Sequence, residues 1–141
     1  EIGARLSGGR KADLAAQMVP GWHPLKALVQ EYAGKGPVQI PDSFRPTQHA
    51  VHLFFPLEIL PSGAVSTDTP QATVRAIEGL TEIEALPSYH CHLLMVRPGS
   101  LVGVTRDIVS TPFFLWLMHS DQAQLKQDAK MARELFHLQL E

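Results

Sequence analysis

The chain has 141 residues, enough for one ordinary core, and its 45% apolar and 18% charged residues exclude a disordered segment. Twelve basic against fourteen acidic residues give a net charge of −2 with no basic stripe, which argues against nucleic acid as a partner. The longest apolar run, Phe113 to Met118, falls far short of the roughly 20 residues a bilayer-spanning helix needs, so no membrane partner is expected. A single cysteine, Cys91, rules out an internal disulfide and fits a reducing compartment, so the expected location is cytoplasmic.

In chain order, residues 1–6 read as the end of a strand. Lys11 to Val19 reads as a helix with Leu14, Ala15 and Met18 on one face, stopped by Pro20-Gly21. A second helix starts at Pro24, a residue suited to a first turn. Leu25, Leu28, Val29 and Tyr32 follow the helical i, i+3, i+4, i+7 pattern, and Gly34 is placed to end it. The two helices are expected to pack as a hairpin. Lys35 to Thr47 contains three prolines and no period, so it reads as a connector. The division expected is 1–36, a linker over 37–47, and 48–141.

Gln48 to Phe55 reads as a strand closed by Pro56. Ile59-Leu60 reads as a short extension before the turn Pro61-Ser62-Gly63, and residues 64–71 as an exposed loop. Ala72 to Ile77 alternates weakly, as a strand would, and Thr81 to Leu86 suits a short helix ended by Pro87. Tyr89 to Val96 alternates two rows, Tyr89, Cys91, Leu93, Met95 and His90, His92, Leu94, Val96, and reads as a strand covered on both faces. Pro98-Gly99 makes a turn, Asp107 to Pro112 is irregular, and Phe113 to His119 reads as a core strand. Asp121 to Leu138 reads as an amphipathic helix. Leu125, Ala129, Ala132, Phe136 and Gln139 fall on one line flanked by Leu135 and Leu138, and Asp121 with Gln124 forms a capping-box pattern. The fold class is α+β, with residues 48–141 expected as one antiparallel-rich sheet and the last helix packed across it.

The densest chemistry lies in the first ten residues, Glu1-Ile2-Gly3-Ala4-Arg5-Leu6-Ser7-Gly8-Gly9-Arg10. Glu1 and Arg5 are four apart, so on a strand both project from one side. A glycine loop and then a helix follow directly. A hard carboxylate oxygen, an arginine fork and a backbone that a ligand can approach closely suit a metal–phosphate site.

This stretch resembles the last metal-binding strand of ATP-grasp ligases, which reads Glu-(apolar)-Asn-x-Arg, often followed by Gly-Gly and a helix. Gly3 stands where that family usually has its second metal ligand. The resemblance extends to Val74 through Pro87, close to the family phrase V-x-A-I-E-G-L-x-E-x-x-A-L-P, then to the turn Arg97-Pro98-Gly99 and to Phe113 through Leu138. It implies that Glu1 is a Mg²⁺ ligand and that Arg5 is catalytic, holding the acyl phosphate or the substrate carboxylate. It also implies that the Gly8 and Gly9 backbone lines the cofactor and substrate side. Residues 1–36 would then be the end of an ATP-grasp catalytic domain, a strand plus a helix pair, and 48–141 its C-terminal antiparallel subdomain. ATP, Mg²⁺ and a small carboxylate substrate would serve the full-length enzyme. The chain begins inside the motif, which makes it read as the C-terminal piece of a longer protein, inactive alone. Its uncovered apolar surface leaves room for a homodimer.

Two branches stay open, biotin carboxylase-like and amino-acid ligase. The Gln-Val-Glu-His continuation usual in biotin carboxylases is absent, which favours a ligase of another small carboxylate. A non-catalytic α+β binding module is the other reading. The pairs His49-x2-His52 and His90-x-His92 invite a zinc reading, but odd spacing sends His49 and His52 to opposite strand faces, and zinc needs several convergent ligands. They are read as sheet-face histidines, and Cys91 as a buried, inert thiol.

Overall fold

The computed structural model describes residues 10–34, 36–38, 42–58 and 71–141. The chain divides into two compact units that part between Ala50 and Val51.

The first unit holds α1, Lys11–Met18, and α2, Pro24–Tyr32. Leu14 is the buried residue of α1. His23 caps α2, its Nδ1 accepting the Leu25 N–H at 3.2 Å, and Pro24 occupies the first turn, where its missing N–H costs nothing. Gly34 ends α2 at φ 61°, as the sequence predicts. The two helices touch, and the Thr47 N–H donates to the Met18 carbonyl at 2.8 Å. The apolar stripe of α2 is nevertheless open: Val29 is 65% and Tyr32 74% exposed. A helical period specifies a face and leaves its partner unspecified.

The strand β1, His49–Phe55, begins at the boundary, and the second unit holds the rest of it with β2 Gln71–Glu78, α3 Leu80–Glu84, β3 Tyr89–Leu94, β4 Leu101–Gly103, β5 Phe113–His119, α4 Gln122–Leu135 and β6 His137–Leu140. The strands form two three-stranded sheets, ordered β1-β5-β3 and β4-β2-β6. This corrects the single sheet expected from sequence. β3 pairs antiparallel with β5, and β2 antiparallel with both β4 and β6. The extension, turn and loop expected over residues 59–70 lie outside the described residues.

β6 is the second correction. The last helix was expected to run to Leu138, yet α4 stops at Leu135 and the chain re-emerges as a strand, Ile77 opposite Leu138 and Glu78 opposite His137. His-Leu-Gln-Leu fits a helical line and a two-residue alternation equally well, and the unpaired edge of β2 decides between them. The capping box is only half made. The Asp121 side chain accepts the Ala123 N–H at 2.7 Å, but Gln124 turns to Asp128 at 2.8 Å.

β5 is the centre of the second unit. Phe113 through Met118 are all buried, and Phe113, Leu115 and Leu117 face Leu53, Phe55, Ile83, Leu86, Leu125 and Ala132. Each fully buried large side chain contributes about 1.5–3 kcal/mol. A bulge in β3 shifts register between Tyr89, opposite Leu117, and Cys91, opposite Trp116. Tyr89 and His92 consequently meet, which strict alternation forbids. Gly79, at φ 82°, joins β2 to α3, and the Leu135 carbonyl occupies the space a Cβ there would need.

Candidate functional site

The four residues singled out by sequence, Glu1, Arg5, Gly8 and Gly9, lie outside the described residues. What borders them is described. α1 opens at Lys11, and its N-cap residue Arg10 takes the left-handed conformation, φ 60°, without a side-chain cap. The first intrahelical bond runs from the Leu14 N–H to the Arg10 carbonyl at 3.1 Å. Arg10 also pairs with Asp13 at 3.7 Å. The start of α1 leaves first-turn N–H groups and the positive end of the helix dipole at Arg10 to Asp13. This geometry suits an anion such as a phosphate.

The histidines do not converge. Among the described residues, no group of three or more His, Cys, Asp or Glu side chains could hold a metal ion. The His52 ring stacks on Trp116, centroids 4.3 Å apart, and also meets Phe54. His92 Nδ1 lies 3.0 Å from the Tyr89 hydroxyl and 3.5 Å from a Glu84 carboxylate oxygen. Desolvation, then the charges of Glu84 and Cys91, push the Tyr89 phenol above its ordinary pKa. Cys91 forms no disulfide and is half-buried rather than fully buried.

Sequence reading missed a cleft of about 300 Å³ in the second unit, where Glu58 and Arg133 both line a floor that includes Phe55 and Phe136. Nothing in the sequence links these positions. The C-cap of α4 and the exit from β1 bring them together. Among the described residues, no helix is long and apolar enough to cross a membrane.

No protein-family model and no curated protein matches this sequence. In fold, the chain is similar to the crystal structure of an L-amino acid ligase from Bacillus licheniformis. The TM-score is 0.71 at 16% identity, covering 99% of this chain and 31% of that one. The chain therefore spans about a third of the length of the solved ligase and shares the α+β architecture of that part of it.

Proposed function

We propose, from a chain that shares its fold with part of an amino-acid ligase, that it is the C-terminal portion of an ATP-dependent carboxylate ligase. The observation that carries the proposal is the agreement of two independent signals. The Glu1-to-Arg10 motif resembles the ATP-grasp family, and the fold likeness to an ATP-grasp ligase extends over 99% of the chain. That relative's name favours the amino-acid ligase branch over the biotin carboxylase-like one.

In this reading, residues 1–36 end the catalytic domain, 37–47 link, and 48–141 form the C-terminal subdomain. ATP phosphorylates a small substrate carboxylate, and a nucleophile then attacks the acyl phosphate and releases phosphate. Arg5 holds the carboxylate or acyl phosphate with its two-pronged fork. Gly8 and Gly9 let backbone N–H groups approach the anion, and the start of α1 adds its dipole. Glu1 is the residue that would hold Mg²⁺, which when bound screens the phosphate oxygens and stabilises charge in transfer. Gly3 offers no side chain, so the second ligand position would fall to water or to a carboxylate from elsewhere in the enzyme.

The test is release of ADP by the full-length protein with Mg-ATP and single or paired amino acids. Turnover that requires the amino acids supports the proposal. ADP release at the same rate with and without every carboxylate offered contradicts it.

A further inference from the structure

The cleft at the end of α4 carries two opposite charges that do not meet. Arg133 donates a guanidinium N–H to the Phe54 carbonyl at 3.3 Å, and its guanidinium carbon lies 5.6 Å from the Phe55 ring centroid. These contacts fix the side chain and leave further N–H donors for a ligand. Glu58 lines the same cleft, and no ion pair joins it to Arg133.

The walls are held in place before any ligand arrives. Leu57, next to Glu58, donates its N–H to the Thr105 hydroxyl oxygen at 2.8 Å, and its carbonyl accepts the Thr105 N–H at 2.8 Å. The floor is an aromatic cluster. Phe136 stacks on Phe113 at 4.3 Å and meets Phe55 edge-on at 5.2 Å. A cleft of about 300 Å³ sits at the small end of ligand sites.

We propose that this cleft binds a small zwitterion bearing one apolar group, an apolar amino acid or a short peptide. Its carboxylate pairs with Arg133, its ammonium faces Glu58, and its apolar group lies against the half-buried Phe136 ring. A simple anion would leave Glu58 unmatched, and a simple cation would leave Arg133 unmatched. A zwitterion satisfies both, and each charge-assisted contact is stronger beside an apolar floor than in open water. The proposal rests on this geometry and stands apart from the ligase reading.

The experiment is a backbone-amide NMR titration of the 141-residue chain with L-phenylalanine, alanyl-phenylalanine, phenylpropionate and L-phenylalaninamide. The amide signals of Leu57, Glu58, Arg133 and Leu138 should move with the zwitterions. Phenylpropionate lacks the ammonium and phenylalaninamide lacks the carboxylate, so each should bind at least about tenfold more weakly. Glu58→Gln should erase the preference over phenylpropionate, and Arg133→Gln the preference over the amide. The tighter of phenylalanine and alanyl-phenylalanine tells amino acid from peptide. No movement of these signals at about 10 mM ligand, or equal binding of all four compounds, overturns the proposal. If Arg133→Gln fails to fold, the ligand series on the unaltered chain and Glu58→Gln still decide it.

Discussion

The Asp128 carboxylate, buried in the middle of α4, accepts the backbone N–H of Ser88 at 2.9 Å. Its other oxygen accepts from Gln124 at 2.8 Å, and the Ser88 carbonyl accepts the Met118 N–H at 2.7 Å. One residue at the entry to β3 is thereby tied to α4 on one side and to β5 on the other. The Ser88 hydroxyl itself is buried without a hydrogen-bond partner among the described residues.

Asp128→Ala should therefore destabilise the protein by about 1–3 kcal/mol, because it strands a buried N–H. Asp128→Asn keeps an acceptor for that N–H and should lose clearly less. Ser88→Ala keeps the backbone bond, removes the unpartnered hydroxyl, and should cost less than about 0.5 kcal/mol or even stabilise. Urea unfolding of the three variants checks the order. Equal losses for Asp128→Ala and Asp128→Asn would show that the hydrogen bond is not what matters there.

Gly79→Ala should cost more than about 2 kcal/mol. It combines a left-handed backbone, φ 82°, with a methyl group directed at the Leu135 carbonyl. Gly99→Ala is the control, with φ 88° but open space around the new methyl, and should cost only the conformational strain. Thermal unfolding of both variants separates the two contributions. Similar shifts would mean the approach of Leu135 is relieved cheaply.

Asp107 is fully exposed, and hydrogen bonds from the Ser110 backbone N–H and then its hydroxyl, both 2.8 Å, hold its carboxyl below the usual aspartate range. A pKa lowered by folding stabilises the turn above the unfolded aspartate value, about 3.9. That contribution is lost as pH falls through the lower folded value. Ser110→Ala keeps the backbone N–H and removes the hydroxyl, so it should move the Asp107 carboxyl titration, followed by carbon NMR, part of the way back up. An unchanged titration would contradict the hydroxyl's share.

Most elements were legible because their signals are local. Pro24 and Gly34 bracket α2, Pro56 closes β1, and the unbroken apolar run Phe113 to Met118 forms the buried β5. What sequence missed depends on distant partners. β6 exists because β2 has an edge to fill, β4 is only three residues long, and the bulge at Tyr89 appears only when β3 meets β5. The roles given to Glu1, Arg5, Gly8 and Gly9 rest on a family resemblance, and these positions lie outside the described residues. The Glu58–Arg133 cleft was not legible, since no local pattern joins residues brought together by the end of a helix and the exit of a strand.

In the full-length protein, Glu1→Gln should lower turnover at least about 100-fold, roughly 2.7 kcal/mol of barrier, with little change in stability. The amide keeps the shape of the carboxylate and loses the charge that would hold a metal. Arg5→Lys should also be poorly tolerated, since an ammonium cannot make the two-pronged contact. Near-normal turnover of both variants at saturating Mg²⁺ would remove these residues from the site.

The central claim is that the intact enzyme activates a carboxylate as its acyl phosphate, and trapping that species tests it most directly. Full-length protein is incubated with Mg-ATP, an amino acid and hydroxylamine. Hydroxylamine attacks the activated carbonyl, displaces phosphate, and leaves a hydroxamate. The account predicts hydroxamate and ADP in equal amounts, with both lost in Glu1→Gln. ATP consumption with AMP and pyrophosphate as products, or no hydroxamate from any small carboxylate, would contradict it.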